Sequence, residues 1–257
     1  MKSQRVAPSN PGERSREPRG GGWREQLAVD PDTGAETFLL TFPPRTTSPH
    51  RGELEYHTCH EENVLLSGRV DFDGWYQWQA LGYLMHPPYW WHPAGYTFPN
   101  GATILIRLDA PVDFTYRPIP ADWDGREWIA PEAPHWCRNR AVTAAHLDPV
   151  PWEAVRDSAG QPLGLEAKHL WDDVEQGWVA WLLRAPASWQ GSGQQYAGSD
   201  ELYLLAGDLR VGDVRLVAGG YYFEPTVLRD DLASEEGAVA IRWTRGAPWR
   251  LPPIRIC

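Results

Sequence analysis

The chain repeats itself, and this constrains its fold more than any other feature. The segment DPDTGAETFLLTFPP (Asp30 to Pro44) returns as DVEQGWVAWLLRAPA (Asp173 to Ala187). Asp30/Asp173, Gly34/Gly177, Leu39/Leu182, Leu40/Leu183 and Pro43/Pro186 are all separated by 143 residues. EENVLLSGRV (61–70) matches DELYLLAGDL (200–209) at an offset of 139, and GYLMHPPYWWH (82–92) matches GGYYFEPTVLR (219–229) at 137. ILIRL (104–108) then matches AVAIRW (238–243) at about 135. Short loop deletions in one copy make an offset fall in small steps, whereas unrelated segments would scatter it. Two copies of one unit are therefore expected, at 23–118 and 164–257.

Each copy reads as strands. ETFLLTF, ENVLLSGRVDF, GATILIRL, GWVAWLLRA, DELYLLAGDLRV and GAVAIRW are short apolar or alternating runs closed by Gly, Pro, Asp or Asn. Turn dipeptides lie between them, and 24 Pro with 15 Trp argue against a helical bundle. The reading is an all-β chain of two jelly rolls, each with about eight short strands. The intervening stretch 119–163 mixes Pro and Trp and reads as a linker packed on the surface, with a short helix around Trp152 to Arg156.

Charge divides the chain unevenly. Residues 1–22 hold Lys2, Arg5, Arg14, Arg16 and Arg19 against Glu13 and Glu17, a balance of 5 − 2 = +3. With a total of −10, the rest carries −13. An acidic body repels phosphate backbones, so nucleic-acid binding is not expected. The leader of Pro, Gly, Ser and Arg reads as a disordered basic tail, which could touch an anionic partner. No apolar run approaches the ~20 residues that cross a bilayer, and residues 1–22 lack the apolar stretch of a secretory signal. Three scattered cysteines, Cys59, Cys137 and Cys257, form neither a disulfide framework nor a zinc ribbon. A cytoplasmic, membrane-free protein follows as the expectation.

Histidine is concentrated. Five of the eight (His50, His57, His60, His86 and His92) fall within residues 50–92. On a strand, Glu53, Glu55 and His57 share one face while Leu54 and Tyr56 take the other. Residues two apart lie about 7 Å from each other, near enough to converge on one ion with help from neighbouring strands. Imidazole with carboxylate suits first-row divalent ions, and two His with one carboxylate is a non-haem iron arrangement. A solvated edge strand whose charges need no ion is the bland alternative. His86 reads as a pocket base or a core histidine. His60 reads as a supporting residue, His50 as a solvent-exposed loop residue, and Cys59 as a free thiol. His135, His146 and His169 have no partners at recognisable spacing.

These residues carry a resemblance. E-x-H-x3-E-x6-G (Glu55, His57, Glu61, Gly68), followed by G-x5-P-x3-H (Gly82, Pro88, His92), resembles the paired motifs of the cupin superfamily. FPP, EENVLLSGRV and GYLMHPP resemble the branch of anti-sigma-factor domains and acetylacetone-type dioxygenases. Over 23–250 the resemblance implies a bicupin, two tandem double-stranded β-helix domains. Glu55 stands where the family usually has its first His, and Tyr89 near its usual Gly. The resemblance implies one divalent metal ion, Fe(II) favoured with Zn, Mn or Ni as alternatives, held by His57, Glu61, His92 and Glu55. Glu62 or His60 is the substitute for Glu61.

The second copy is an internal control. At the slots of Glu55, His57, Glu61 and His92 it has Gln194, Tyr196, Asp200 and Arg229, so the C-terminal barrel is expected to be degenerate and metal-free. Arg229 is expected to pair with Asp230, Asp231 or another carboxylate. Trp75, Trp78, Tyr89 and Trp90 are candidates for the wall of a substrate pocket. The leading expectation is an Fe(II) dioxygenase acting on a small aromatic or dicarbonyl compound, with Glu55 and His86 as catalytic proton carriers. A zinc-dependent cyclase, isomerase or lyase is the second reading, and a metal- or metabolite-sensing bicupin the third. Pairing of jelly-roll edges would give a homodimer.

Overall fold

The computed structural model describes residues 2, 4–126, 128–135, 143–147, 150–173, 177–193, 195–229 and 231–246, and of 143–146 the backbone alone. Cys137, Cys257, Gln194, Asp230 and the side chain of His146 lie outside the described residues. Among the described residues there is no α-helix, and none that is long and apolar enough to cross a membrane. The chain divides into two compact units, Met1–Lys2 with Ser15–Leu147, and Ser3–Arg14 with Asp148–Cys257.

The first unit is built on an antiparallel sheet. Its main path runs Thr143–His146, Gly82–His86, Glu61–Phe72, Ala102–Leu108, Glu36–Phe42, Gly22–Val29 and Arg16–Arg19. A four-stranded sheet, Phe114–Pro118, Glu53–His57, Trp90–Pro93 and Trp128–Ile129, completes the barrel. Apolar side chains that alternate along these strands, among them Phe38, Phe42, Leu65, Val70, Phe98 and Ile106, form the core. The second unit has the matching path Tyr221–Glu224, Ser199–Val211, Ala238–Arg245, Trp178–Ala185 and Pro162–Asp173, flanked by Val6–Ser9 and Glu153–Arg156.

Strand register reproduces the repeat independently. Leu105 pairs with Leu39 and Val64, while Ile241 pairs with Leu182 and Tyr203. The separations are 182 − 39 = 143, 203 − 64 = 139 and 241 − 105 = 136. The bulges repeat too: Leu27 and Leu170 stand out of register 143 apart, and Leu66 and Leu205 139 apart. Gly68 and Gly207 follow those second bulges with φ of 85° and 78°. A Cβ at either would lie within about 2 Å of the carbonyl oxygen of Gly101 or Gly237, so only glycine fits. Two offsets move by a residue: the fourth block sits at 136 rather than about 135, and Val64 pairs with Tyr83 and Tyr203 with Tyr221, which sets the third block at 221 − 83 = 138 rather than 137.

Two expectations change. The N-terminal tail, expected to be disordered, carries two strands. Val6–Ser9 pairs with the 221–224 strand and Arg16–Arg19 with the 22–29 strand. Asn10 explains the first capture: its side chain accepts from Val217 N at 2.9 Å and donates to Arg215 O at 3.1 Å, closing a sheet edge. Arg5 is held by Glu224 and Arg16 by Glu25, so these basic groups are already paired within the chain. The helix expected around 152–156 is instead the strand Glu153–Arg156, paired with 162–167. Asp157 Oδ1 accepts from Ala159 N and Gln161 N, and that turn chemistry makes a hairpin. Within 119–163, Trp128–Ile129 and Thr143–His146 add strands to the first unit's sheets.

Candidate metal centre

Strand Glu53–His57 divides as its alternation requires. Leu54 and Tyr56 pack with Trp91 and Ala130, which leaves Glu53, Glu55 and His57 on the opposite face. The following turn is pinned at both shoulders. Thr58 donates its N–H and Oγ1 to Asp113 Oδ1, and His60 N donates to Asp109 Oδ1 at 2.8 Å. The His60 ring lies 2.7 Å from Asp109 Oδ2, so His60 anchors the turn and stays out of the donor group. Register then places Glu61 opposite His86, and His92 opposite Glu55.

Four side chains converge. One donor atom from each of His57, Glu61, His86 and His92 lies within 4.8 Å of the others. His57 Nε2 is 3.1 Å from Glu61 Oε2, and His86 Nδ1 is 4.0 Å from the same oxygen. The rings of His86 and His92 stack at 3.8 Å with 4° between their planes. His57 Nδ1 lies 2.7 Å from the Cys59 carbonyl, which fixes the ring and directs Nε2 inward. Glu62 is engaged elsewhere, by the Tyr83 hydroxyl and Arg107 Nη1, each at 2.7 Å. Glu61 is therefore the carboxylate of the group. Glu55 stands beside it, with Oε1 4.0 Å from His92 Nδ1, rather than within it. Relative to the sequence expectation, His86 and Glu55 exchange places, because pairing register brings His86 to Glu61 and strand sequence alone does not reveal that register.

The electrostatics suit a cation. Burial, together with the neighbouring His86 and His57, holds His92 well below the usual imidazole range, so it is neutral and can donate a lone pair. Burial opposes charge on His57, but the Cys59 side chain and Glu61 outweigh it and raise that ring well above its ordinary value. Glu61 is lowered by His57 and His86 despite its burial. Burial and the nearby Glu61 push Glu55 up to about 8. The Nε2 atoms of His57 and His92 are buried without hydrogen bonds, a costly state that a bound ion would relieve. Three imidazoles with one carboxylate form a donor set that fits a first-row divalent ion.

A cavity of about 450 Å³ opens onto this group. Its wall includes Phe38, Phe72, Trp78, Tyr96, Phe98 and Ile106. Of the four aromatics expected there, Trp78 lines it. Trp75 is exposed and packs on Trp123 at 4.5 Å, and Tyr89 packs on Tyr56 at 5.5 Å on the far face of the strand. Trp90 also lies outside the lining. Sequence reasoning missed Phe114 and Tyr116, which line the cavity from an edge strand. Their period-2 spacing in FTYRP was the available signal. His50, expected in solvent, stacks on Tyr116 at 4.0 Å and pairs with Glu53.

The second unit differs at the matching positions. Asp200 stands at the Glu61 slot (200 − 61 = 139) and Arg242 at the Ile106 slot (242 − 106 = 136). Arg242 Nε and Nη2 donate to the Asp200 oxygens at 2.7 and 2.6 Å, and the Tyr222 hydroxyl donates to Asp200 at 2.7 Å. The cavity there measures only about 20 Å³. Arg229 pairs with Asp231, as expected. Register sets Gln195, rather than Gln194, opposite Arg229 in the place that Glu55 takes opposite His92.

Solved structures agree on the class. A candidate dioxygenase from Nostoc punctiforme PCC 73102 is 21% identical with a TM-score of 0.69, covering 91% of this chain and 78% of its own. A point mutant of Bacillus subtilis oxalate decarboxylase OxdC is 10% identical with a TM-score of 0.55, covering 95% and 78%. The pirin YhhW of Escherichia coli, in complex with nickel(II), is 9% identical with a TM-score of 0.54, covering 96% and 99%. The fold is thus that of the cupins, an all-β protein of tandem jelly rolls, and its first barrel gathers a His/Glu group capable of holding a divalent ion. Residues 17–246 match one family model, and the chain belongs to that family, described as Domain of unknown function (DUF4437). Among curated proteins, none matches the chain in sequence.

Proposed function

We propose that the first barrel is a metal-dependent dioxygenase, oxidising or cleaving a small aromatic or dicarbonyl compound with O2. The observation carrying this reading is the convergence of His57, Glu61, His86 and His92 in one group, of which Glu61, His86 and His92 line a cavity of substrate size. These four residues would hold the ion, with Fe(II) favoured and Zn, Mn or Ni as alternatives. A bound ion would supply a Lewis acid and, if iron, redox capacity. The Nostoc candidate dioxygenase supports this reading through its fold, as does the resemblance to the acetylacetone-dioxygenase branch.

The chain itself does the rest. The His57–Cys59 contact and the Asp109 and Asp113 anchors hold the donors in place. The apolar wall excludes water from the reacting end. Glu55 lines the cavity beside His92 without belonging to the donor group, and takes the proton-carrier role in place of His86. A free carboxyl at that place favours a second reading, non-redox acid–base catalysis with zinc as Lewis acid. The reading also includes a metal-free second barrel and a reducing cytoplasm, in which Cys59 stays a buried free thiol.

Metal analysis of protein purified without chelators, with oxygen uptake measured over a panel of phenols and dicarbonyls, tests the proposal. Iron with substrate-dependent uptake supports it. Zinc without uptake overturns the redox reading and leaves the acid–base one.

A further inference from the structure

The cavity wall says more about the substrate than the donor group does. Resting on the reading of the first barrel as an enzyme, we propose that it takes a neutral aromatic hydroxy compound and discriminates against small carboxylates, with Phe114 and Tyr116 as specificity-determining residues.

Charge comes first. Apart from the donor group, the ionised side chains along the wall are few. Arg24 is fastened to Glu36 and lies over the Phe38 ring at 4.0 Å, so its charge is already matched. His50 is matched by Glu53, and Arg19 is exposed to solvent. Glu55 and Glu61 add carboxyls at the reacting end. A mono- or dicarboxylate entering here would find no unmatched buried cation except the ion itself. It would also face the two carboxyls and lose hydration along an apolar wall, a costly combination.

Shape points the same way. Phe114 and Tyr116 are 44% and 37% exposed, yet both line the cavity, which places them at its mouth. Their rings lie 5.9 Å apart, and His50 stacks on Tyr116. Phe114 also meets the His57 ring edge-on at 6.2 Å. A flat ring entering past this set stays in aromatic contact up to the donors, where a hydroxyl oxygen is the one polar group it needs to present. A cavity of about 450 Å³ suits one or two rings.

The test uses zinc-loaded full-length protein, so that binding is read without turnover. Calorimetric titrations compare 2-naphthol with oxalate and malonate, and metal content is measured on the same samples. The expected result is 2-naphthol binding at least about tenfold tighter than either dicarboxylate. Phe114→Ala, an exposed-strand change that spares the core, should weaken 2-naphthol by about two- to tenfold at unchanged metal content. Ile106→Phe, which narrows the cavity, should weaken it further. Dicarboxylates binding as tightly as 2-naphthol, or 2-naphthol unaffected by both substitutions, would overturn the proposal. If metal is retained but 2-naphthol does not bind, this inference fails and the enzyme reading stands. If no metal is taken up, the enzyme reading itself fails.

Discussion

Arg242 grips Asp200 with two hydrogen bonds of 2.7 and 2.6 Å inside the second barrel, at positions that Ile106 and Glu61 fill in the first. Both side chains are almost fully buried, 2% and 0% exposed. A guanidinium therefore supplies, as part of the chain, the positive charge that the first barrel's donors are set to receive from an ion. Arg242→Leu should cost about 3–5 kcal/mol, because Asp200 would stay buried without its partner. Arg242→Leu with Asp200→Asn should recover much of that loss. Denaturant titration of the two variants checks both outcomes, and equal stability would show that the pair does not act as a unit.

In the first barrel, the same logic predicts metal dependence. His92→Ala should abolish metal uptake, whereas Glu55→Gln should keep it, since Glu55 stands beside the donors rather than among them. Arg229→Ala, in the other unit, should leave metal content unchanged. Elemental analysis of the three purified variants decides the assignment. Stoichiometric metal surviving His92→Ala would refute it.

Asp109 gives a pH prediction. Burial opposes its charge, but hydrogen bonds from the His60 ring and backbone, with Arg107 nearby, hold its carboxyl below the usual range. A carboxylate lowered in the folded state stabilises above its unfolded pKa, about 3.9, and that contribution is lost as pH falls through the folded value. Wild type should thus lose stability below about pH 4 more steeply than Asp109→Asn. At neutral pH the variant should be weaker by about 1–2 kcal/mol, a figure reduced for partial exposure. Thermal melts from pH 3 to 7 read both effects.

The repeat was legible because each pair of blocks keeps its bulges and glycines, and these depend on backbone geometry rather than on function. Gly68 and Gly207 show why: no other residue fits beneath the facing carbonyl. His57, Glu61 and His92 were legible from their spacing along the chain. His86 was not, because its place depends on antiparallel register with Glu61 across a turn. Val6–Ser9 was hidden for a similar reason. Composition describes a segment's own tendency to collapse, whereas the strand forms by completing an edge elsewhere in the chain.

Asn10 should therefore be worth more than a surface residue. Its amide satisfies both Val217 N and Arg215 O, and it holds the leader against the second unit. Asn10→Ala should cost about 1–2 kcal/mol. It should also speed hydrogen exchange along Val6–Ser9 and at the 221–224 strand, with the first barrel unaffected. Unchanged exchange at residues 6–9 would mean that backbone pairing alone holds the strand.

Substituting Ile106 with arginine transfers the second barrel's arrangement into the first. Ile106 pairs with Asn63, two positions from Glu61, as Arg242 pairs with Leu202, two positions from Asp200, and Ile106 lines the cavity wall. The side chain is long enough to reach the carboxylate there, as it does at 242. A guanidinium bound to Glu61 competes directly with an ion and fills space that a substrate would use. Ile106→Arg should then lose metal and aromatic-ligand binding while keeping its β-sheet circular dichroism spectrum, because the second barrel shows that this fold accepts the pair. Full metal occupancy in a folded Ile106→Arg protein would mean that the two barrels, though built on one register, do not share an interior site.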